Sequence, residues 1–349
     1  MKMTLHECDL PLRHPFAISR GTTTVQRSLV VELEHEGLSG FGEVTENNYY
    51  GYTLESIRSS LVGIEPLLSQ YVDAPPGEVW SDAQARLRNM FALSALDMAA
   101  HDLFARRQGL PLFESWGLTW QQIPQSSFTI GIAPIPEMIR KLQEEPGWGI
   151  YKIKLGTSED VSIVRALREH TDATFRVDAN CAWTTRQALD HVEALSELGV
   201  EFIEQPLSPS APDSDHRELF EKSALPIIAD ENCLEENDVA KCEGKFHGVN
   251  VKLCKCGGLT PALKMLRKAR NNSMKTMVGC MIESSVGISA AAHLMPLLDY
   301  ADLDGSLLIS SDPADGVIIN QGEVQLSSRH GSGAQMKSSW SNSSNVACV

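Results

Sequence analysis

Net positive charge is missing from this sequence. Lysine and arginine number 30 against 45 aspartates and glutamates, a formal net charge of −15. Nonspecific nucleic-acid binding needs a cationic face for the phosphates, and no basic run supplies one. Binding to an anionic membrane surface is disfavoured for the same reason. Long apolar runs are missing too. Nothing approaches the ~20 apolar residues of a membrane span, and the opening MKMTLHECDL lacks the apolar core of a signal peptide. A cytoplasmic protein is the expectation. Close cysteine pairs are almost absent. Eight cysteines are scattered over 349 residues, and the tight pair Cys254 and Cys256 has no second Cys or His pair at zinc spacing. Reduced thiols are expected rather than a disulfide scaffold.

What is present is ordinary globular composition, 42% hydrophobic and 21% charged. The first part reads as an α+β unit. RSLVVELEHEG and LSGFGEV alternate as antiparallel strands with a turn at Glu36-Gly37. Two helical stretches follow, about Ser56 to Tyr71 and Val79 to Arg107, the second stopping at Gly109 before Pro111. His101 within it reads as a packed or capping histidine.

The texture then changes to short β-rich runs, each followed by a helical stretch: SSFTIGI, YKIKLG, FRVDAN, FIEQPL, PIIADEN, GVNVKL, KTMVGC and YADLDG. The landmarks Lys154, Asp178, Glu204, Asp230 and Lys252 are spaced 24, 26, 26 and 22 residues apart. That period is one strand-helix unit per repeat. Eight such strands describe a parallel α/β barrel wrapped by helices.

Several of these runs carry charges where a buried strand should not. Alternate side chains of a strand face opposite ways. Ile153 and Leu155 oppose Lys152 and Lys154; Val177 and Ala179 oppose Arg176, Asp178 and Asn180; Val249 and Val251 oppose Asn250 and Lys252. The apolar sets belong against the helices, so the charged sets point into the barrel, near the strand ends where such barrels keep their sites. A merely structural network of buried ion pairs is a poor account of Lys152, Lys154, Asp178, Glu204, Asp230 and Lys252, because such pairs are costly to desolvate. Buried ionisable clusters in a cleft mark function.

Three carboxylates from successive strands repel one another. A hard divalent cation relieves this, and oxygen ligands alone suggest Mg²⁺. Lysines from the second and sixth of eight strands face each other across the barrel. A metal and a second lysine nearby favour the neutral amine, and a lysine so depressed acts as a general base. The implied chemistry is removal of a proton next to a carboxylate, with the enediolate stabilised by the cation. A lysine on the opposite face returns the proton with inversion.

The lysine pair of YKIKLG, RVDAN, FIEQP, ADEN and NVKLCKCGG together resemble the enolase superfamily, and within it the muconate lactonizing enzyme-like subgroup; lysine bases with Mg²⁺ are themselves a known pattern of that superfamily. The resemblance runs to about Gln335. It implies a modified TIM barrel, (β/α)7β, with an α+β capping domain completed by the C-terminal segment. The expected boundaries are 1–112 for the cap, 113–305 for the barrel, 306–335 for the returning segment and 336–349 for a Ser/Asn-rich tail. By this resemblance Asp178, Glu204 and Asp230 are the metal ligands and Lys154 and Lys252 the acid/base pair. Lys152 assists by contacting the substrate carboxylate and lowering the pKa of Lys154. Glu231 is a weaker candidate for support, and Lys255 points elsewhere. DANCAW departs from the usual pattern at Ala182, with the ligand Asp178 intact.

Asp302 and Asp304 in YADLDG resemble the Asp-x-Asp with which dipeptide epimerases hold a substrate's α-ammonium group; the competing reading is a turn with capping acids. MIESSVGISAAAH resembles that group as well, with Glu283 as a pocket residue. ISRGT and NNYYGYT match the two loops that close over the site, making Arg20, Tyr49 and Tyr50 candidates for side-chain selectivity. By this resemblance the expectation is an Mg²⁺-dependent dipeptide epimerase that inverts the α-carbon of the C-terminal residue of Ala-Glu or another dipeptide, with a homo-oligomer allowed. The alternatives are a cycloisomerase or an o-succinylbenzoate synthase-type dehydratase. More remote are a Schiff-base lysine enzyme and a non-catalytic binding protein.

Overall fold

The computed structural model describes residues 1–338 and the short strand Ala347–Cys348. Most of the expected tail 336–349 lies outside the described residues. Ala347–Cys348 pairs antiparallel with Thr4 and Leu5 of the first strand.

The chain opens with an antiparallel sheet of β1 (Lys2–Ile18), β2 (Gly21–His35) and β3 (Leu38–Thr45). The β2–β3 turn falls on Glu36 and Gly37, both in the left-handed region. β1 is absent from the strands expected above because Pro11 and Pro15 interrupt its pattern. The structure admits them by a register shift between Pro11 and Phe16, where a missing N–H is tolerated.

The helices that cover this sheet are α1 (Leu54–Ile64), α2 (Pro76–Gln84) and α3 (Met90–Gln108), with a 3-10 stretch Glu65–Tyr71 between the first two. The single helix expected over Val79 to Arg107 is therefore two. Asn89 is extended and its side chain accepts the N–H of Ala92, starting α3 afresh. The expected stop holds, with Gly109 left-handed at the end. Along α3 most residues are buried, because β3 packs on one side of it and the barrel on another. Gly40 and Gly42 allow the first contact: a Cβ on Gly42 would lie 2.1 Å from the carbonyl oxygen of Ala95.

Eight parallel strands follow in chain order: β4 (Phe128–Ile130), β5 (Ile150–Lys154), β6 (Thr174–Asp178), β7 (Val200–Glu204), β8 (Ile227–Ala229), β9 (Gly248–Val251), β10 (Lys275–Gly279) and β11 (Tyr300–Asp302). Each expected run supplies one of them. A bridge between Ser126 and Ala301 brings the lead-in to β4 beside β11, so the sheet nearly closes. Ile153, Val177, Ile203, Val249 and Val251 are fully buried on the side facing the helices. The opposite alternation carries the charged residues inward, as the period of two requires.

After β11 the chain returns to the first part. The Asp102 carboxylate on α3 accepts the N–H of Phe41 at 2.8 Å and that of Ser332 at 2.6 Å. One acid thus joins β3, α3 and the returning segment. Among the described residues no helix is long and apolar enough to cross a membrane.

Candidate active site

The charged residues that alternation sends inward converge at the C-terminal ends of β5 to β9 and β11. One carboxylate oxygen each from Asp178, Glu204 and Asp230 lies within 4.8 Å of the others, all three side chains being buried. Like charges this close need cations between them. Lysines supply some. Lys154 Nζ donates to Asp178 Oδ2 at 2.6 Å, and Lys252 Nζ to Asp230 Oδ2 at 2.8 Å. Lys154 ends β5 and Lys252 follows β9, four strands on, so the two approach the acids from opposite walls.

Lys152 is 1% exposed and sits among three carboxylates. Its Nζ is 2.7 Å from Asp302 Oδ2, 2.7 Å from Glu204 Oε2 and 3.4 Å from Asp178 Oδ2. The Glu204 contact lacks hydrogen-bond geometry, leaving Oε2 of that acid without a hydrogen-bond partner. Burial would lower the Lys152 pKa, yet Asp302, Glu204 and Asp178 outweigh it and hold the ammonium well above its ordinary range. Lys152 is thus a hub among the acids.

The acids are split by their partners. Burial pushes Glu204 up to about 7, aided by Asp178. Burial acts on Asp178 too, but Lys154 and Lys152 overcome it and hold that acid at about 2. Asp230 is held well below the carboxylate range against its burial by Lys252 and Lys255. Lys252 sits among carboxylates, with Asp230 and Glu204 beside it. Burial pulls it down, but Asp230 and Glu204 more than compensate and hold it above its usual value. The reason is the excess of carboxylate around it, which a divalent cation would offset.

Donor chemistry fits a hard cation. Glu204 Oε2, Glu231 Oε2 and Asn180 Oδ1 are buried oxygens with no hydrogen-bond partner. Asp178, Glu204 and Asp230 make an all-oxygen set, so these three could hold a metal ion.

A cavity of about 370 Å³ opens over the acids, lined at its base by Lys152, Lys154, Asp230, Lys252, Asp302 and Asp304. Asp302 Oδ1 accepts from Ser127 Oγ at 2.8 Å, and Asp304 Oδ2 from the Thr129 N–H at 2.6 Å. Burial, then Asp302, raises Asp304 to about 7.

Both expected loops form part of the wall. Arg20 Nη1 donates to Glu231 Oε1 at 2.7 Å and to the Asn180 carbonyl at 3.2 Å, and its guanidinium lies 4.2 Å from the Tyr49 ring centroid. Tyr50 packs edge-on against Tyr49 with centroids 4.9 Å apart. Glu283 is a correction. Its carboxylate turns back to the Met281 N–H at 2.9 Å, behind Met281 and Ile282, and does not line the cavity. Burial first, then the neighbouring Glu43, raises its pKa to about 8.

Lys255 is the second correction. It was expected to point elsewhere, yet its Nζ contacts Asp230 Oδ1 and is 2.6 Å from the carbonyl of the same residue. Its three-residue spacing from Lys252 was the available signal. His101 is packed as expected: Trp116 Nε1 donates to its Nδ1, and its Nε2 faces Thr260 Oγ1.

The mandelate racemase / muconate lactonizing enzyme N-terminal domain family matches residues 2–117, and the enolase C-terminal domain-like family matches residues 135–340. The chain is 50% identical over 337 residues to the L-Ala-D/L-amino acid epimerase of Flavobacterium johnsoniae, covering 96% of this chain and 100% of that one. The chain belongs to the enolase superfamily, among its dipeptide epimerases. Two solved structures of that family agree. The dipeptide epimerase of Cytophaga hutchinsonii, complexed with Mg and D-Ala-L-Val, superposes with a TM-score of 0.92 at 25% identity, covering 100% of this chain and 99% of that one. The dipeptide epimerase of Enterococcus faecalis, complexed with Mg and L-Leu-L-Tyr, gives 0.87 at 29% identity, covering 96% and 99%.

Proposed function

We propose that this protein is an Mg²⁺-dependent dipeptide epimerase, inverting the α-carbon of the C-terminal residue by a 1,1-proton transfer. The carrying observation is the placement of Lys154 and Lys252 on opposite walls of one cavity, with the acidic triad between them. One lysine removes the α-proton from its face and the other delivers a proton to the opposite face, so a planar intermediate becomes the other epimer. Asp178, Glu204 and Asp230 would hold Mg²⁺. When bound, the ion supplies Lewis-acid stabilisation of the negative charge on the substrate carboxylate. Lys152, buried among Asp178, Glu204 and Asp302, favours the ionised form of each and holds them in place.

Asp302 and Asp304 suit the dipeptide's free ammonium group. Asp302 already shares one oxygen with Lys152, so Asp304 carries more of that contact. Neither a cycloisomerase nor a dehydratase substrate of this superfamily offers such a cation. Arg20, Tyr49 and Tyr50 line the cavity and would meet the side chain of the inverted residue. The free thiols of the described residues, most of them buried, suit a cytoplasmic enzyme.

Incubation with single stereoisomers of Ala-Xaa dipeptides, followed by chiral chromatography, tests the reading. Both epimers should appear from either starting isomer, and EDTA should stop the conversion. A covalent adduct trapped by borohydride with EDTA-insensitive turnover would favour Schiff-base chemistry instead.

A further inference from the structure

Lys252 and Lys255 share one helical turn, Leu253–Cys256, with Lys252 at its N-cap and left-handed Gly257 at its end. Residues three apart on such a turn lie on one side. Both ammonium groups therefore reach Asp230, but at different oxygens: Lys252 at Oδ2 and Lys255 at Oδ1. Their surroundings differ. Lys252 lines the cavity and Lys255 does not.

Lys255 is wholly engaged with protein. Besides Asp230 Oδ1, its Nζ faces the carbonyls of Asp230 at 2.6 Å, Cys233 at 3.2 Å and Asn250 at 3.4 Å. An ammonium has three protons, and here every one has an acceptor on the segments after β8 and at the end of β9. The turn itself is held from the first part of the chain. Trp80 Nε1 donates to the Gly257 carbonyl at 2.8 Å, and Thr260 N donates to Asp97 Oδ2 at 2.8 Å. Asp97 leaves no space for a side chain at position 258, since a Cβ on Gly258 would lie 2.4 Å from its Oδ2.

We propose that Lys255 is a positioning residue of the metal site, holding Asp230 by Oδ1 so that Oδ2 stays aimed at the cation. The proposal rests on Asp230 being a metal ligand, as read above. Its logic is one of alternation. A lysine that acts on substrate cannot remain on Asp230, so Lys252 must leave Oδ2 during turnover. Without a second, permanent partner the acid would then be free to rotate. Lys255, shut off from the cavity and tied to three carbonyls, supplies that partner. Groups that orient a metal's ligands without touching the metal change its affinity by about 10–100-fold when removed.

Calorimetric titration of Mg²⁺ into the substrate-free protein tests this, comparing wild type with Lys255→Met and Lys255→Gln. Cooperative melting confirms that each variant is folded. Lys255→Met should weaken Mg²⁺ binding by about 10–100-fold, and Lys255→Gln, which keeps a donor toward Asp230, by less. A folded Lys255→Met protein whose Mg²⁺ dissociation constant stays within about twofold of wild type would overturn the proposal. So would a lower melting temperature with unchanged affinity, the pattern of a merely structural lysine. Should Lys255→Met not fold, Lys255→Gln carries the comparison, and wild-type affinity there overturns it equally. Absence of Mg²⁺ binding in the wild type defeats the metal reading and the positioning role with it. Because binding is read without substrate, the result is independent of which dipeptide is turned over.

Discussion

Lys154 and Lys252 are each bonded to a different acid of one triad, and this separation gives the two-base scheme its sharpest consequence. Lys154→Ala and Lys252→Ala should each abolish α-proton exchange from one enantiomer far more than from the other. The loss in the affected direction is expected to be about 10²–10⁴-fold, the usual contribution of a positioned acid or base. Deuterium incorporation into each isomer, followed separately, reads this out; a variant that keeps full epimerisation contradicts the scheme. Asp304→Asn belongs to the same scale. Losing one charged partner of an ammonium is worth roughly 1.5–3 kcal/mol, so KM for the dipeptide should rise by about tenfold or more, with a smaller change in kcat. The inward lysines and acids were legible because charge at every second residue of a buried run has few explanations. The hub role of Lys152 was not, since it depends on how close Asp302 comes from the far end of the sheet.

At the scale of elements, the barrel's strands could be read from a recurring period, and the cap's first strand and helix break could not. β1 hides behind Pro11 and Pro15, and the break before α3 rests on the side chain of Asn89, with no glycine or proline to mark it. At Gly257-Gly258, α2 and α3 grip the turn bearing Lys252 and Lys255 through Trp80 and Asp97. Gly258 has φ 117 and faces the Asp97 side chain. Gly258→Ala should therefore destabilise the protein by about 1–3 kcal/mol through overpacking and backbone strain. Denaturant unfolding measures the stability, and activity should fall further than stability alone explains because the lysine turn shifts. Unchanged stability would contradict the close packing described here.

Across the whole molecule, the returning C-terminal segment is tied to the barrel and to the chain leading into it through buried polar groups. His293, at the end of the helix Ser285–Ala292, faces the Ser332 carbonyl with Nε2 and the Phe113 N–H with Nδ1. Only the neutral ring can do both. Burial lowers its pKa to about 4, below the ~6.5 of an unfolded histidine. In the window between them the unfolded chain takes the proton more readily. The stability due to His293 is thus complete above about pH 6.5 and declines as pH falls toward 4, by up to about 1.4 kcal/mol per pH unit. Comparing wild type with His293→Gln isolates this from the buried acids, such as Asp97, whose raised pKa acts in the opposite sense. A stability difference that does not change with pH would contradict it.

The account's central claim is proton transfer at the α-carbon between two lysines over a metal-holding acidic triad. Its most direct test is a screen of dipeptides in D₂O with Mg²⁺, read by mass. The account predicts a gain of one deuterium at the α-carbon of the C-terminal residue, from both epimers, lost on EDTA treatment and restored by Mg²⁺. Absence of exchange for every dipeptide of a broad library, or exchange that survives EDTA, would contradict it.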